Sequence, residues 1–175
     1  MTGKKFYKAL IHGRTDIVEV LLSLLQETGA DYCIIGGLAV NAYAEPVVSL
    51  DLDLVVVADK IEKLAAAARK KGMKVIKFEH SLNLTISGSD LRIQLQTDPR
   101  YQLFLGGARR RTVLGYNMKV AALEDVLKGK IWAYSDKTRR PSKRQKDLAD
   151  IMRLAEGNQG LVKKLPKPIM KKLGY

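Results

Sequence analysis

Residues 50–57 read Leu-Asp-Leu-Asp-Leu-Val-Val-Val, a run that alternates and then turns continuously apolar. Side chains two apart on a β-strand point to the same face. The pattern therefore predicts a strand over Ser49 to Val57, with Asp51 and Asp53 side by side and Leu50, Leu52 and Leu54 directed into a core. Val55-Val56-Val57 implies that this strand is central and covered. Aspartate is a poor strand former, so its use at both polar positions is costly without a ligand. Two adjacent carboxylates repel each other, and a cation between them removes that cost. Oxygen ligands of this kind suit Mg²⁺ or Mn²⁺, and Mg²⁺ commonly takes one or two carboxylates plus substrate phosphates. The plain alternative is an edge strand with a wet polar face. The apolar continuation speaks against it.

The flanking elements alternate in type. Thr15 or Asp16 is expected to cap a helix over Asp16 to Thr28, with Ile17, Leu21, Leu24 and Leu25 as its buried stripe and Gly29 as its end. Tyr32-Cys33-Ile34-Ile35 reads as a buried strand that runs into Gly36-Gly37. A short helix over Leu38 to Ala44 follows. An Ala-rich helix over Ile61 to Lys71 is stopped by Gly72, and Met73 to Phe78, Leu82 to Ser87 and Leu91 to Thr97 are strand candidates. After Pro99 the texture changes. Arg109-Arg110-Arg111 leads into a β-like Thr112-Val113-Leu114, and Asn117 to Ala121 is extended. Leu123 to Tyr134 is helical by spacing. Ser142 is expected to cap a second helix in which Leu148, Ile151, Met152 and Ala155 fall at helical spacing until Gly157. The tail with Pro166 and Pro168 reads as a loosely attached helix or arm. Residues 1–121 are thus expected to form an α/β core and 122–175 a basic helical region packed on it, one structural unit.

A glycine pair between strand and helix lets the backbone approach a ligand, and the helix start offers N–H groups to phosphate oxygens. Cys33 lies in an apolar run and reads as a small core residue. His12 and His80 are far apart, so zinc is not expected. No apolar run reaches membrane-spanning length, and Met1 to Tyr7 is not followed by a signal-peptide core, which points to a cytoplasmic protein without a membrane partner. Of the net charge of +13, almost all lies late in the chain: Lys and Arg outnumber Asp and Glu by 13 to 12 up to Gly107, and by 18 to 6 from Ala108. A basic half of this kind points to a polyanionic partner, beside the plain reading of a solvated helical face.

Ile34-Ile35-Gly36-Gly37-Leu38-Ala39-Val40 followed by Ser49-Leu50-Asp51-Leu52-Asp53-Leu54 resembles the signature of the polymerase-beta-like nucleotidyltransferase superfamily. The small bacterial abortive-infection-toxin type is the nearest in pattern. Lys130, Arg144, Lys146-Asp147 and Asp150 are similar, more loosely, to the helical region downstream in those proteins.

The resemblance implies an α+β fold, a mixed sheet with helices packed on one side and C-terminal helices. It implies that Gly36 and Gly37 hold the triphosphate of a nucleoside triphosphate and that Asp51 and Asp53 are catalytic and hold Mg²⁺ or Mn²⁺. Ser49 and Lys130 become candidates for nucleotide contacts. The reaction implied is transfer of a nucleoside monophosphate to an acceptor such as RNA (tRNA among them) or protein. Members of the superfamily usually carry a third carboxylate on a later strand, and Leu91-Arg92-Ile93-Gln94-Leu95-Gln96 places Gln94 there, with Gln96 as the less favoured choice and Asp90 and Asp98 flanking. Glutamine brings no charge and no base. Two further readings therefore stand beside an active transferase: a nucleotide- or RNA-binding module of the same fold, and one half of a toxin–antitoxin pair whose basic helices dock an acidic antitoxin.

Overall fold

The computed structural model describes residue 5 and residues 15–175; His12 and the N-terminal segment fall outside the described residues. In chain order the elements are α1 (Ile17–Thr28), β1 (Tyr32–Ile35), α2 (Gly36–Val40), β2 (Asp51–Val56), α3 (Ile61–Lys70), β3 (Lys74–Lys77), β4 (Ser81–Thr85) and β5 (Arg92–Gln96). They continue with α4 (Phe104–Gly107), β6 (Arg109–Val113), β7 (Tyr116–Val120), α5 (Leu123–Ser135), α6 (Pro141–Gly157) and α7 (Lys167–Leu173). The seven strands make one mixed sheet in the order β3-β4-β5-β2-β1-β7-β6. This is the expected α+β architecture. Central β2 runs antiparallel to β1 and parallel to β5, so its neighbours on both sides are covered strands.

Leu52, Leu54, Val55 and Val56 are fully buried, as the apolar run requires. Leu50 is not: it is 45% exposed. The ladder begins at Asp51, paired with Arg92, so Leu50 precedes the strand and has no covered face to enter. Leu52 and Leu54 share their face of the sheet with Ile93 and Leu95 of β5. Helices α1 and α3 pack together over this apolar face, joined by the Lys63 ammonium, which donates to the Thr28 carbonyl at 3.2 Å. Asp16 caps α1 by accepting the Glu19 N–H at 3.1 Å, and its carboxylate also receives the Tyr116 hydroxyl from β7 at 3.1 Å. Gly29 closes α1 with φ 64°. Cys33 is fully buried, and burial pushes its thiol up to about 12.

Local expectations are corrected at several further points. Leu114 does not extend β6; with Gly115 it forms the two-residue turn to β7, both residues having positive φ (51° and 84°). Helix α6 starts at Pro141, whose fixed φ suits the first helical position, so Ser142 lies inside the helix instead of capping it. Within α6, Leu154 is fully buried where Met152 is 38% exposed. Nor is the tail loosely attached: Leu161, Leu165 and Ile169, spaced by four, are buried in the same core cluster as the sheet. Among the described residues no helix is long and apolar enough to cross a membrane.

Helices α5 and α6 pack on each other and on α2, adding a partial second layer on the carboxylate face of the sheet. A buried charge cluster fastens them. The Lys130 ammonium of α5 lies 2.6 Å from Asp150 and 3.1 Å from Asp147 of α6. Arg139 holds the other oxygen of Asp147 at 2.7 Å. Arg153 holds Asp150 at 2.8 Å and also donates to Asn41 Oδ1 at 3.0 Å, tying α6 to the loop after α2. Burial works against a charged Lys130, but Asp150 and Asp147 outweigh it and leave its pKa raised. A raised lysine contributes its stability below its unfolded pKa of about 10.4 and loses it as pH rises through the folded value. Lys130→Met leaves two buried carboxylates without their shared cation and is expected to destabilise the fold by about 3 kcal/mol at neutral pH. A urea denaturation midpoint equal to wild type would contradict this.

Candidate functional site

Strand β1 ends at Ile35, which is in register with Asp53 of β2. The next residue, Gly36, has φ +70°, and a Cβ built on it would fall 2.2 Å from Asp53 Oδ2 and 2.9 Å from Asp53 Cβ. Both the dihedral and the contact demand glycine. The Asp53 carboxylate thus lies directly against bare backbone at the strand-to-helix turn. Gly37 is different. A Cβ there would meet Ser49 Oγ at 3.7 Å, an ordinary contact, so the second glycine is not sterically required.

Asp51 and Asp53 share one face of β2, both half-buried. Asp51 Oδ1 takes the Arg92 guanidinium at 2.8 Å, and its Oδ2 takes the Lys143 ammonium at 3.4 Å. Arg92 is its in-register partner on β5, and Lys143 reaches it from α6. Asp53 opens instead onto a cavity of about 100 Å³ whose walls include Gln94, Tyr101, Asp125, Lys130 and Arg139. Burial raises the pKa of Asp53, Lys130 pulls it back, and Asp51 adds to the rise.

Gln94 stands beside Asp53 in the parallel ladder, with Asn83 of β4 on its other side. Gln96 pairs with Val55 and spends its Oε1 accepting the Thr97 and Asp98 N–H groups at 2.9 and 3.1 Å. Asp98 is paired with Arg100 at 2.6 Å, which holds its carboxyl low, and Asp90 is exposed ahead of β5. Neither flanking aspartate lines the cavity.

Ser49 is buried at the start of β2: its hydroxyl donates to the Asp51 carbonyl at 3.1 Å and accepts the Asp51 N–H at 3.3 Å. It sets the backbone of Asp51. Lys130 lines the cavity, but its ammonium is engaged by Asp147 and Asp150. In the downstream region, Asp147 and Asp150 are buried in that cluster. Arg144 donates to the Tyr134 carbonyl at 2.8 Å, and Lys146 is exposed.

Among the described residues no group of three or more His, Cys, Asp or Glu side chains has metal-ligand geometry. Two carboxylates on one strand face, one of them cradled by a glycine whose Cβ would collide with it, do fit a single hard cation. Such a cation keeps waters or phosphate oxygens as its remaining ligands.

Sequence reasoning missed Arg92, Asp125, Lys143 and the aromatic wall of Tyr101 and Phe104. Arg92 was within reach, since it sits two residues before Gln94 on an alternating strand and so shares its face. Asp125, Gly129 and Ala133, spaced by four, likewise mark one side of α5. For Lys143 no local pattern distinguishes it from the other lysines of α6.

No protein-family model matches the chain, and no curated protein matches it. Solved structures do. The antibiotic-resistance factor ANT(2'')-Ia in solution is 15% identical with a TM-score of 0.58, over 89% of this chain and 86% of that one. The lincomycin-bound lincosamide antibiotic adenylyltransferase LnuA is 10% identical with a TM-score of 0.56, over 82% and 99%. An antigenic nucleotidyltransferase-like protein from Paracoccidioides brasiliensis is 21% identical with a TM-score of 0.53, over 90% and 89%. At such identities the likeness is one of architecture, and the chain has the nucleotidyltransferase fold.

Proposed function

We propose that this protein transfers a nucleoside monophosphate from a metal-bound nucleoside triphosphate to an acceptor. The observation that carries the reading is the Gly36–Asp53 contact, which sets one carboxylate of the Asp51/Asp53 pair against side-chain-free backbone on the lining of a cavity. Asp51 and Asp53 would hold Mg²⁺ or Mn²⁺, which when bound neutralises the triphosphate and raises the electrophilicity of its α-phosphorus. The Gly36-Gly37 backbone lies where phosphate oxygens approach these carboxylates. Ser49 keeps the Asp51 backbone fixed. Arg92 and Lys143, already drawn to Asp51, supply positive charge for the same oxygens. Lys130 contributes through its field on Asp53, its ammonium being shared by two aspartates.

An acceptor with a hydroxyl is supported by the antibiotic-modifying neighbours, one of which was solved in complex with adenylyl-2''-tobramycin. The excess of Lys and Arg after Gly107 supports an anionic acceptor, such as RNA or tRNA, or an acidic protein. Arg109, Arg110 and Arg111 are exposed along β6, at the edge of the sheet. The same basic surface suits an acidic antitoxin, in keeping with the abortive-infection type and a cytoplasmic setting. A binding module without turnover is the second reading, and Gln94 beside Asp53 is the observation that favours it.

Millimolar Mg²⁺–ATP is expected to raise the thermal midpoint, because a ligand at a hundred times its Kd adds about 2.7 kcal/mol to the native state. Asp51→Asn with Asp53→Asn should abolish the shift. A shift of equal size in that double variant would remove the metal–nucleotide site. Gly36→Ala should also lose it, since the new methyl must displace Asp53. A transfer assay with labelled nucleotide separates the two readings: product formed by wild type and not by the double variant supports the enzyme. RNA binding, measured from 50 to 200 mM salt, should weaken by about a thousandfold or more for six or more phosphate contacts. A flat salt response would remove the role given to the basic surface.

A further inference from the structure

If Gln94 stands beside the carboxylates and brings no base, a hydroxyl acceptor needs its proton taken elsewhere. Three carboxylates line the Asp53 cavity: Asp53, Asp125 and Asp147. Asp53 is assigned to the metal. Asp147 is committed, one oxygen to Lys130 and the other to Arg139. Asp125 remains. It is half-buried and makes no hydrogen bond or ion pair among the described residues.

Its position is built, not incidental. Asp125, Gly129 and Ala133 lie at successive helical turns and form the α5 side of the cavity, with Asp53 and Gln94 on the sheet side. Two of these three α5 residues are small. A Cβ on Gly129 would be forced to 3.3 Å from Tyr101 and 3.5 Å from Phe104, against the aromatic wall. Behind Asp125, the backbone of Gly107 passes so close that a Cβ there would meet Asp125 Oδ2 at 3.2 Å. The cavity, of about 100 Å³, has room between these two walls for several waters or one functional group of a ligand.

We infer that Asp125 is the proton acceptor of the transfer reaction, acting from the helical wall in place of the carboxylate that Gln94 lacks. The inference rests on the transfer reading. The acceptor hydroxyl oxygen forms its bond to the α-phosphorus with a lone pair, and the bond from the α-phosphorus to the β-phosphate oxygen breaks. That electron pair leaves with pyrophosphate. The hydroxyl proton passes to the Asp125 carboxylate and from there to solvent. The charged groups that act on Asp125 are Lys128 and Glu124 on its own helix, and the other charged residues of the cavity lining are Asp53, Lys130, Arg139 and Asp147. Burial moves the Asp125 carboxyl upward, with Lys128 opposing and Glu124 adding, the direction that makes a carboxylate a better base.

The test compares wild type, Asp125→Asn and Asp125→Asn with Gln94→Glu, using Mg²⁺–ATP and glycerol as the alcohol probe. Pyrophosphate release is followed across pH. Asp125→Asn should keep the ATP-induced thermal shift, lose about 100-fold in kcat and lose the acid limb of the pH–rate profile. Adding Gln94→Glu returns a carboxylate to the sheet side of the same cavity and should restore part of the lost rate together with an acid limb. Rates and acid limb unchanged in Asp125→Asn would overturn the inference, as would loss of its thermal shift, which marks a binding or structural role. Wild type that binds Mg²⁺–ATP but releases no pyrophosphate overturns the transfer reading and Asp125 with it, while the nucleotide site stands.

Discussion

Strand β1 meets β2 at a point where no side chain fits. Ile35 and Asp53 are paired, and the chain must turn into α2 in the next residue while passing over the Asp53 carboxylate. Only a residue without a Cβ allows this turn, because a methyl group would overlap the carboxylate oxygen. The position of Asp53, the start of α2 and the opening of the cavity all follow from that contact. Asp51, two residues earlier, inherits its orientation from the pleat of the same strand. The sheet around the pair is covered on its apolar face by α1 and α3, so β2 has little freedom to relieve a crowded turn by moving.

Charge then arranges what stands over the carboxylate face. Arg92 comes from the adjacent strand and Lys143 from α6, and both end on Asp51. Lys130 is drawn the other way, into a buried cluster with Asp147 and Asp150 that locks α5 to α6. The lysine nearest Asp53 is thereby a structural cation first and an electrostatic influence on the site second. Asp125 is the carboxylate of the cavity that this network does not absorb.

The alternation and glycine stops made much of the fold legible. Parity alone set Asp51 beside Asp53 on one face, and the same parity distinguishes Gln94 from its neighbours on β5. Gly29 and Gly72 end α1 and α3 in left-handed conformations where expected. What was not legible depends on pairing. Leu50 continues the alternation but lies outside the ladder, so periodicity assigned it to a core it does not enter. The prolines and lysines of the tail suggest a loose arm, while Leu161, Leu165 and Ile169 pack into the core. The sequence marks Lys130 as a candidate nucleotide contact but not as the ion-pair partner of Asp147 and Asp150, which lie seventeen and twenty residues away on another helix. Asp125 sits in the first turn of α5, where an acidic residue is expected for helix-dipole reasons alone. Its place on the cavity wall is a tertiary fact.

The central claim is that the turn at Gly36 and the pair Asp51/Asp53 form the metal–nucleotide site. Paramagnetic broadening by Mn²⁺–ATP in an NMR spectrum tests it most directly. The account predicts that substoichiometric Mn²⁺–ATP broadens the backbone amides of Gly36, Gly37, Asp51 and Asp53 and the side-chain amide of Gln94 first, leaving Arg109 to Arg111 of β6 sharp. Broadening that begins along the β6 arginines, with the Gly36 and Asp53 signals unaffected, would contradict it.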